Sequence, residues 1–184
     1  MPLSISLIRH AEKQYDEGPP YGVLADGSRD PYSLTPRGWQ RAGALVSLVV
    51  PRPGQAGAPL LPTPTHLFAS EIGPHSHSRR PSETLQPISE RLGVRIAEPV
   101  LQDALDELVT AIQACDGHVL VAWEHKRIPL IVDRLLGGAS GTPQTWPDDR
   151  FDLVWLVEHE GAGPLRLRQV PQLLLAGYRA DPIT

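Results

Sequence analysis

Short apolar runs alternate with longer segments of helical periodicity along the chain. Runs of aliphatic residues predict buried strands at LSISLI (3–8), HLFAS (66–70), HVLVAW (118–123) and FDLVWLVEH (151–159). A further short strand is predicted at VRIAEP (94–99), and an edge strand is predicted at LRLRQV (165–170). The segment after residue 170 carries no clear pattern.

Helices are predicted between these runs, at residues 35–49, 81–92, 103–114 and 128–136. Thr35 followed by Pro36 is typical of a helix start, since the hydroxyl caps free backbone N–H groups and proline suits the first turn. Gly93 is expected to close the second helix, and Pro87 to kink or fray its middle. Strands that alternate with helices predict an α/β fold, a three-layer α/β/α sandwich with a mainly parallel central sheet.

Polar residues follow three of the predicted strands. They are Arg9 and His10, then Ser70, then Glu124 and His125. In open α/β sheets ligands bind outside the carboxyl ends of the strands, so we expect these side chains to converge at one edge. Arg80, which stands just before the helix that follows Ser70, is expected to join them. Surface loops at 14–34, 71–78 and 138–150 would border this edge.

Two guanidinium groups and two imidazoles suit a phosphoryl group. Arginine is permanently charged and presents a planar fork to two phosphate oxygens, whereas neutral histidine offers a lone pair that can attack phosphorus. A cationic cage with an in-line nucleophile supplies most of the catalysis that phosphoryl transfer needs, so no metal or other cofactor is expected. His66, His75 and His77 lack the partnered cysteine pair or HExxH helix of a zinc site.

Composition narrows the class of protein. The 184 residues, 41% hydrophobic and 21% charged, predict a single globular domain over 1–184. With 17 basic and 21 acidic side chains the net charge is −4, which gives no reason to expect nucleic acid or an anionic membrane as partner. No export signal is recognised in MPLSISLIRH, and Cys115 is the only cysteine, so a cytoplasmic location is expected. The sequence does not indicate an oligomeric state.

Four blocks of the sequence resemble those of the histidine phosphatase (phosphoglycerate mutase-like) superfamily, in the expected order from residue 5 to about 158. They are LIRHAEK after the first strand, LTPRGWQRA at 34–42, SRRPSET at 78–84 and VLVAWEHKRIP at 119–129. The resemblance implies the fold of that superfamily. The sequence departs from the family pattern at Ala11, where the family has glycine, and in a longer segment at 72–78.

The resemblance also implies roles for individual residues. His10 would be the nucleophile that carries the phosphoryl group, with Arg9, Arg80 and His125 as the phosphate pocket. Arg80 is preferred over Arg79 by its spacing to Thr84. The residue that protonates the leaving oxygen is expected within VLQDALDE at 100–107. Its candidates are Asp103 first, then Asp106 and Glu107.

Four more residues are candidates for the border of the site. Glu12 and Lys13 adjoin the nucleophile and are predicted to contact the substrate, although a solvated loop start would explain them as well. His75 and His77 are expected near the site mouth, most simply as exposed loop residues without a role.

The resemblance implies a phosphatase that hydrolyses a small phosphomonoester or a phosphoprotein through a phosphohistidine. A phosphoglycerate-type mutase and a non-catalytic phosphate-binding module on the same fold are the alternatives. The loops at 14–34, 71–78 and 138–150, where specificity is expected to lie, have no readable chemistry that would identify the substrate.

Overall fold

The computed structural model describes residues 3–51, 59–74, 76–98, 100–138, 141–159, 161, 163–177 and 179–184. Six strands are assigned: β1 (Ser4–Arg9), β2 (His66–Ala69), β3 (Ile96–Ala97), β4 (His118–Trp123), β5 (Leu153–His159) and β6 (Leu165–Pro171). Four helices are assigned: α1 (Pro36–Val49), α2 (Arg80–Leu92), α3 (Leu105–Gln113) and α4 (Ile128–Leu135). Each corresponds to an element that the sequence predicts.

The strands form one sheet in the order β3-β2-β4-β1-β5-β6. Strand β1 pairs with β4 in parallel, and β2 pairs in parallel with both β3 and β4. Strand β5 runs antiparallel to β1, and β6 closes that side as an antiparallel edge strand. The sheet is therefore mixed, with a parallel half in which the carboxyl ends of β1, β2 and β4 reach the same edge.

Apolar side chains from both faces of the sheet pack against helices. One cluster joins the sheet to α3 and α4 and includes the fully buried Leu7, Leu108 and Ile131. The other joins it to α1 and α2 and includes Ile8 and Leu85. Because residues 7 and 8 point to opposite faces of β1, both layers are filled from the same strand, and the predicted three-layer α/β/α sandwich is confirmed.

The helix starts and ends follow the local signals, and the structure differs from the sequence predictions at two other places. The Thr35 side chain caps α1 by accepting from Gly38 N, and Gly93 ends α2 in the left-handed conformation at φ 68°. Pro87 does not fray α2, which is assigned continuously through it. Strand β3 pairs over only two residues, shorter than the predicted 94–99.

Gly38 allows the first turn of α1 to lie directly against the chain after β1. A Cβ atom at this position would come within 2.5 Å of the Glu12 carbonyl oxygen. Thr35 N donates to the same carbonyl at 2.9 Å. The glycine of the LTPRG block thus has a packing role beside the site.

No helix among the described residues is both long and apolar enough to cross a membrane.

Two leucine substitutions should differ strongly in their effect on the free energy of unfolding, because only Leu7 lies in the central strand β1. Leu7 is fully buried between the sheet and α3/α4, whereas Leu60 is 58% exposed. Leu7→Ala should lower the free energy of unfolding by about 2–5 kcal/mol because it opens a cavity. Leu60→Ala should change it by less than about 0.5 kcal/mol. Urea denaturation of both variants checks this, and equal losses would contradict the assigned packing.

Candidate active site

The candidate site lies at the carboxyl ends of β1 and β4. The register pairs Arg9 with Trp123, and the parallel ladder continues for one more bond, from His10 N to Trp123 O at 3.0 Å. His10 and His125 therefore follow neighbouring strands at the same edge of the sheet. Both are buried, with 5% and 3% of their surface exposed.

A backbone hydrogen bond fixes the tautomer of His10. Its Nδ1 lies 2.8 Å from the Ala11 carbonyl oxygen, which can only accept, so Nδ1 carries the proton. The lone pair of the neutral ring is then on Nε2. Burial holds the pKa of His10 well below 6.5, and the positive charges of Arg9, Arg80 and Lys13 lower it further against the effect of the Ala11 bond. The ring is therefore neutral and nucleophilic at neutral pH.

His125 has the complementary tautomer. Its Nε2 contacts the Asp148 carboxylate, which accepts, so the proton of the neutral ring is on Nε2. Its Nδ1 is buried and has no hydrogen-bond partner among the described residues. Burial and then the charge of Arg9 lower the pKa of His125 to about 4, although Asp148 acts in the opposite direction. His125 is thus a neutral hydrogen-bond donor at the same edge of the sheet as the neutral His10 ring.

Arg9 is the most deeply buried cation of the site, with 1% of its surface exposed. Its guanidinium lies 3.8 Å from the centroid of the Phe151 ring. Nη1 donates to the carbonyls of Asp148 at 2.5 Å and of Pro147 and Arg150 at 3.3 Å each. The loop before β5 thus holds Arg9 in place, and burial lowers its pKa below the usual arginine value without removing its charge.

Arg80 begins α2, and the loop before α1 orients its side chain. Its guanidinium donates to the carbonyls of Pro31 and Ser33 in the loop before α1, the latter at 3.3 Å. One turn later, Thr84 Oγ1 donates to the Arg80 carbonyl at 2.7 Å and accepts from Ala11 N at 2.9 Å. Thr84 therefore ties the start of α2 to Ala11, the residue after His10, which accounts for the arginine–threonine spacing in SRRPSET.

Lys13 and Glu12 have different surroundings. The pKa of Lys13 is lowered, first by burial and then by Arg9 and Arg80, so its ammonium shares the cationic surroundings of the site. Both oxygens of Glu12 accept from the buried Arg41, at 2.6 and 2.9 Å. The predicted substrate contact of Lys13 fits its position, whereas a substrate contact of Glu12 would require these ion pairs to open.

The predicted proton donors lie at the start of α3 and are exposed. Asp103 pairs with Arg127 at 2.5 Å, and Asp106 pairs with Arg134 at 2.6 Å. Glu107 is an exposed residue of the first turn of α3. The structure does not join any of the three directly to His10, and the identity of the proton donor stays a prediction.

Of the two loop histidines, the structure describes only His77. His75 lies outside the described residues. His77 is exposed and packs edge to face against Tyr32 at 5.4 Å between ring centroids. Across the described part of the chain, no group of three His, Cys, Asp or Glu side chains could hold a metal ion.

Sequence reasoning missed three residues of the site. Asp148 contacts His125, Phe151 stacks on Arg9, and Tyr15 donates to the Asp148 carbonyl at 2.7 Å. All three lie in or near loops that precede or follow strands, and their contacts join residues that are 23, 142 and 133 positions apart in the chain, respectively. The only local signal for Asp148 is that a second aspartate follows it, and this pair belongs to no motif.

No family model and no curated protein matches this sequence. Solved structures do match. Alpha-ribazole phosphatase from Shigella flexneri is 12% identical, with a TM-score of 0.55 over 89% of this chain and 95% of that chain. A mycobacterial glucosyl-3-phosphoglycerate phosphatase in complex with VO3 is 16% identical, with a TM-score of 0.52 over 91% and 97%. Phosphoglycerate mutase from Plasmodium falciparum is 12% identical, with a TM-score of 0.51 over 98% and 97%.

At these identities the likeness concerns the fold. The chain has the phosphoglycerate mutase-like fold of these solved structures, which confirms the predicted fold class. The neighbours include phosphatases and a mutase, so the fold by itself does not select hydrolysis over isomerisation.

The buried imidazoles predict a particular pH dependence. His10 and His125 should stay neutral as the pH falls below the unfolded histidine pKa of about 6.5, and NMR of the ring nitrogens should show the proton on Nδ1 of His10 and on Nε2 of His125. The unfolded chain binds these protons first, so the free energy of unfolding should decrease as the pH falls from about 6.5 towards 4. Charged rings at pH values near 6 would contradict the assignment.

The two hydrogen bonds of Thr84 predict a loss of stability on removal of its hydroxyl. Thr84→Val leaves the buried Ala11 N–H without its partner and should lower the free energy of unfolding by about 1–3 kcal/mol. Thr84→Ser keeps both bonds and serves as the matched control, and the two are compared by urea denaturation. Faster amide hydrogen exchange at Ala11 is expected only in the valine variant, and its absence would argue against the link.

Proposed function

We propose that this protein is a histidine phosphatase in which His10 Nε2 takes the phosphoryl group of a phosphomonoester. The observation that carries the proposal is the His10 Nδ1 bond to the Ala11 carbonyl, because it leaves Nε2 as the basic nitrogen of a neutral, buried ring. Arg9, Arg80 and Lys13 supply fixed positive charge around that nitrogen. His125, protonated on Nε2, adds a neutral hydrogen-bond donor.

Each residue has one task in the reaction. Nε2 of His10 attacks phosphorus as the bond to the leaving oxygen breaks, and that oxygen takes a proton from an acid. Arg9, Arg80 and His125 stabilise the charge on the equatorial oxygens during the transfer. Water then attacks the phosphohistidine, which releases inorganic phosphate and restores the lone pair of His10. Asp103 is the first candidate for the acid, and Arg127 would have to release its carboxylate.

The substrate class follows from the charge of the pocket. Three cations and one neutral donor suit a terminal, doubly charged phosphate group, on a small molecule or on a protein side chain. The names of the similar structures include phosphatases of small phosphorylated molecules, which supports a phosphomonoester. No cofactor takes part in the proposed reaction.

Trapping the intermediate tests the proposal. Incubation with a labelled phosphomonoester should give an alkali-stable, acid-labile adduct at His10, and inorganic phosphate should be the product. His10→Ala should form no adduct and lose at least about a thousandfold in kcat/KM, since covalent catalysis is removed. His159→Ala is the matched control, because His159 ends β5 at the opposite edge of the sheet. Equal turnover by the His10 variant and the control would refute the mechanism.

Leaving-group dependence identifies the proton donor. If Asp103 protonates the leaving oxygen, Asp103→Asn should lower kcat for an alkyl phosphate by about 10²–10⁴-fold. With p-nitrophenyl phosphate, whose leaving group needs no proton, the loss should be small. Asp106→Asn, the neighbouring exposed carboxylate paired with Arg134, is the control. A uniform effect on both substrates would exclude Asp103 from this role.

A further inference from the structure

The carboxylate of Asp148 lies on the same atom of His125 that would meet a phosphate oxygen. Oδ1 of Asp148 contacts His125 Nε2, the protonated nitrogen of the neutral ring. His125 is 96% buried at the side chain, whereas that of Asp148 is 72% exposed and reaches in from the loop before β5. An acidic side chain therefore occupies a donor that the proposed reaction needs.

The charges around Asp148 are those of the phosphate pocket. His125 and then Arg9 and Lys126 hold the pKa of Asp148 below 3.8, so its carboxylate is ionised at neutral pH. The Asp148 carboxylate also acts on Lys13, where its negative charge opposes the lowering of the Lys13 pKa. A carboxylate in this position presents one negative charge and two acceptor oxygens to the groups that would bind a phosphoryl oxygen.

We propose that the Asp148 carboxylate is an internal ligand of the phosphate pocket, which a phosphate group must displace from His125 before it binds. The proposal rests on the proposed function, because it assigns His125 to the phosphate pocket. It makes Asp148 a determinant of specificity: a dianionic phosphate has more charge than the carboxylate and can replace it, whereas a monoanion gains little over it.

The contact is not needed to hold the loop. Even an exposed ion pair contributes little to stability, and here the imidazole is neutral and the carboxylate is largely exposed. The backbone of the loop is instead fixed by bonds from Arg9 Nη1 and the Tyr15 hydroxyl to the Asp148 carbonyl, at 2.5 and 2.7 Å, and from Trp146 Nε1 to the Arg150 carbonyl at 2.8 Å. Replacing the side chain of Asp148 leaves these bonds in place, so its variants should fold and keep Arg9 positioned.

Binding of inorganic phosphate, measured by calorimetry at neutral pH and about 0.15 M salt, tests the proposal. Asp148→Asn should bind phosphate at least about tenfold more tightly than the parent chain, which corresponds to a pocket occupied by Asp148 in about nine of ten molecules. Asp148→Ala, which also removes the side-chain acceptor, should do the same. Asp149→Asn is the matched control: it removes the same charge from the next residue, which pairs with Arg179 at 2.9 Å, and should leave the affinity unchanged.

Steady-state kinetics with p-nitrophenyl phosphate give a second readout, in which KM should fall in Asp148→Asn. Unchanged phosphate affinity in both Asp148 variants, with the His10 adduct still formed, would overturn this proposal and leave the proposed function standing. Absence of phosphate binding in every variant, together with absence of the adduct, would overturn both. A lower kcat without tighter binding would also overturn it, and would assign Asp148 to proton transfer instead.

Discussion

The parallel pairing of β1 with β4 is the constraint on which the rest of the site depends. It sets Arg9 opposite Trp123 and carries one further bond from His10 N, so His10 and His125 leave the sheet side by side. A slip of one residue would exchange the faces of β1, and Leu7 and Ile8 would each point into the wrong apolar layer. The packing of both layers therefore enforces the register, and the register places the two imidazoles.

Burial of Arg9 at the end of β1 imposes a second requirement. A charged group with 1% exposure needs partners, and the loop before β5 provides carbonyl oxygens and the face of Phe151. That loop is held in turn by Arg150, whose guanidinium pairs with Asp152 at 2.7 Å and with Asp181 at 3.2 Å. The C-terminal segment, which has no pattern in the sequence, thus helps to hold the loop that binds Arg9.

Local signals account for the parts of the fold that the sequence could predict. The Thr35 cap, the Gly93 terminus and the uninterrupted apolar run of β4 depend on neighbours within a few residues, and all three are found in the structure. The spacing of Arg80 and Thr84 is also local, because one helical turn separates a carbonyl from the hydroxyl that binds it.

The partners of individual charges depend instead on which distant segments meet. Glu12 follows His10 by two positions in sequence, and its carboxylate pairs with Arg41, 29 positions along the chain. Asp148 and His125 come together only because the loop before β5 crosses the end of β4. No periodicity or cap encodes such contacts, so the sequence predicted neither the Glu12–Arg41 pair nor the place of Asp148.

Arginine and histidine respond differently to burial at this edge of the sheet. Guanidinium groups keep their charge when buried, so Arg9 and Arg80 supply a permanent positive field. The same field, with burial, keeps the imidazoles neutral, and a neutral imidazole is the form that retains a nucleophilic lone pair. The cations, together with burial, thus keep the His10 ring in the neutral form that has a free lone pair on Nε2.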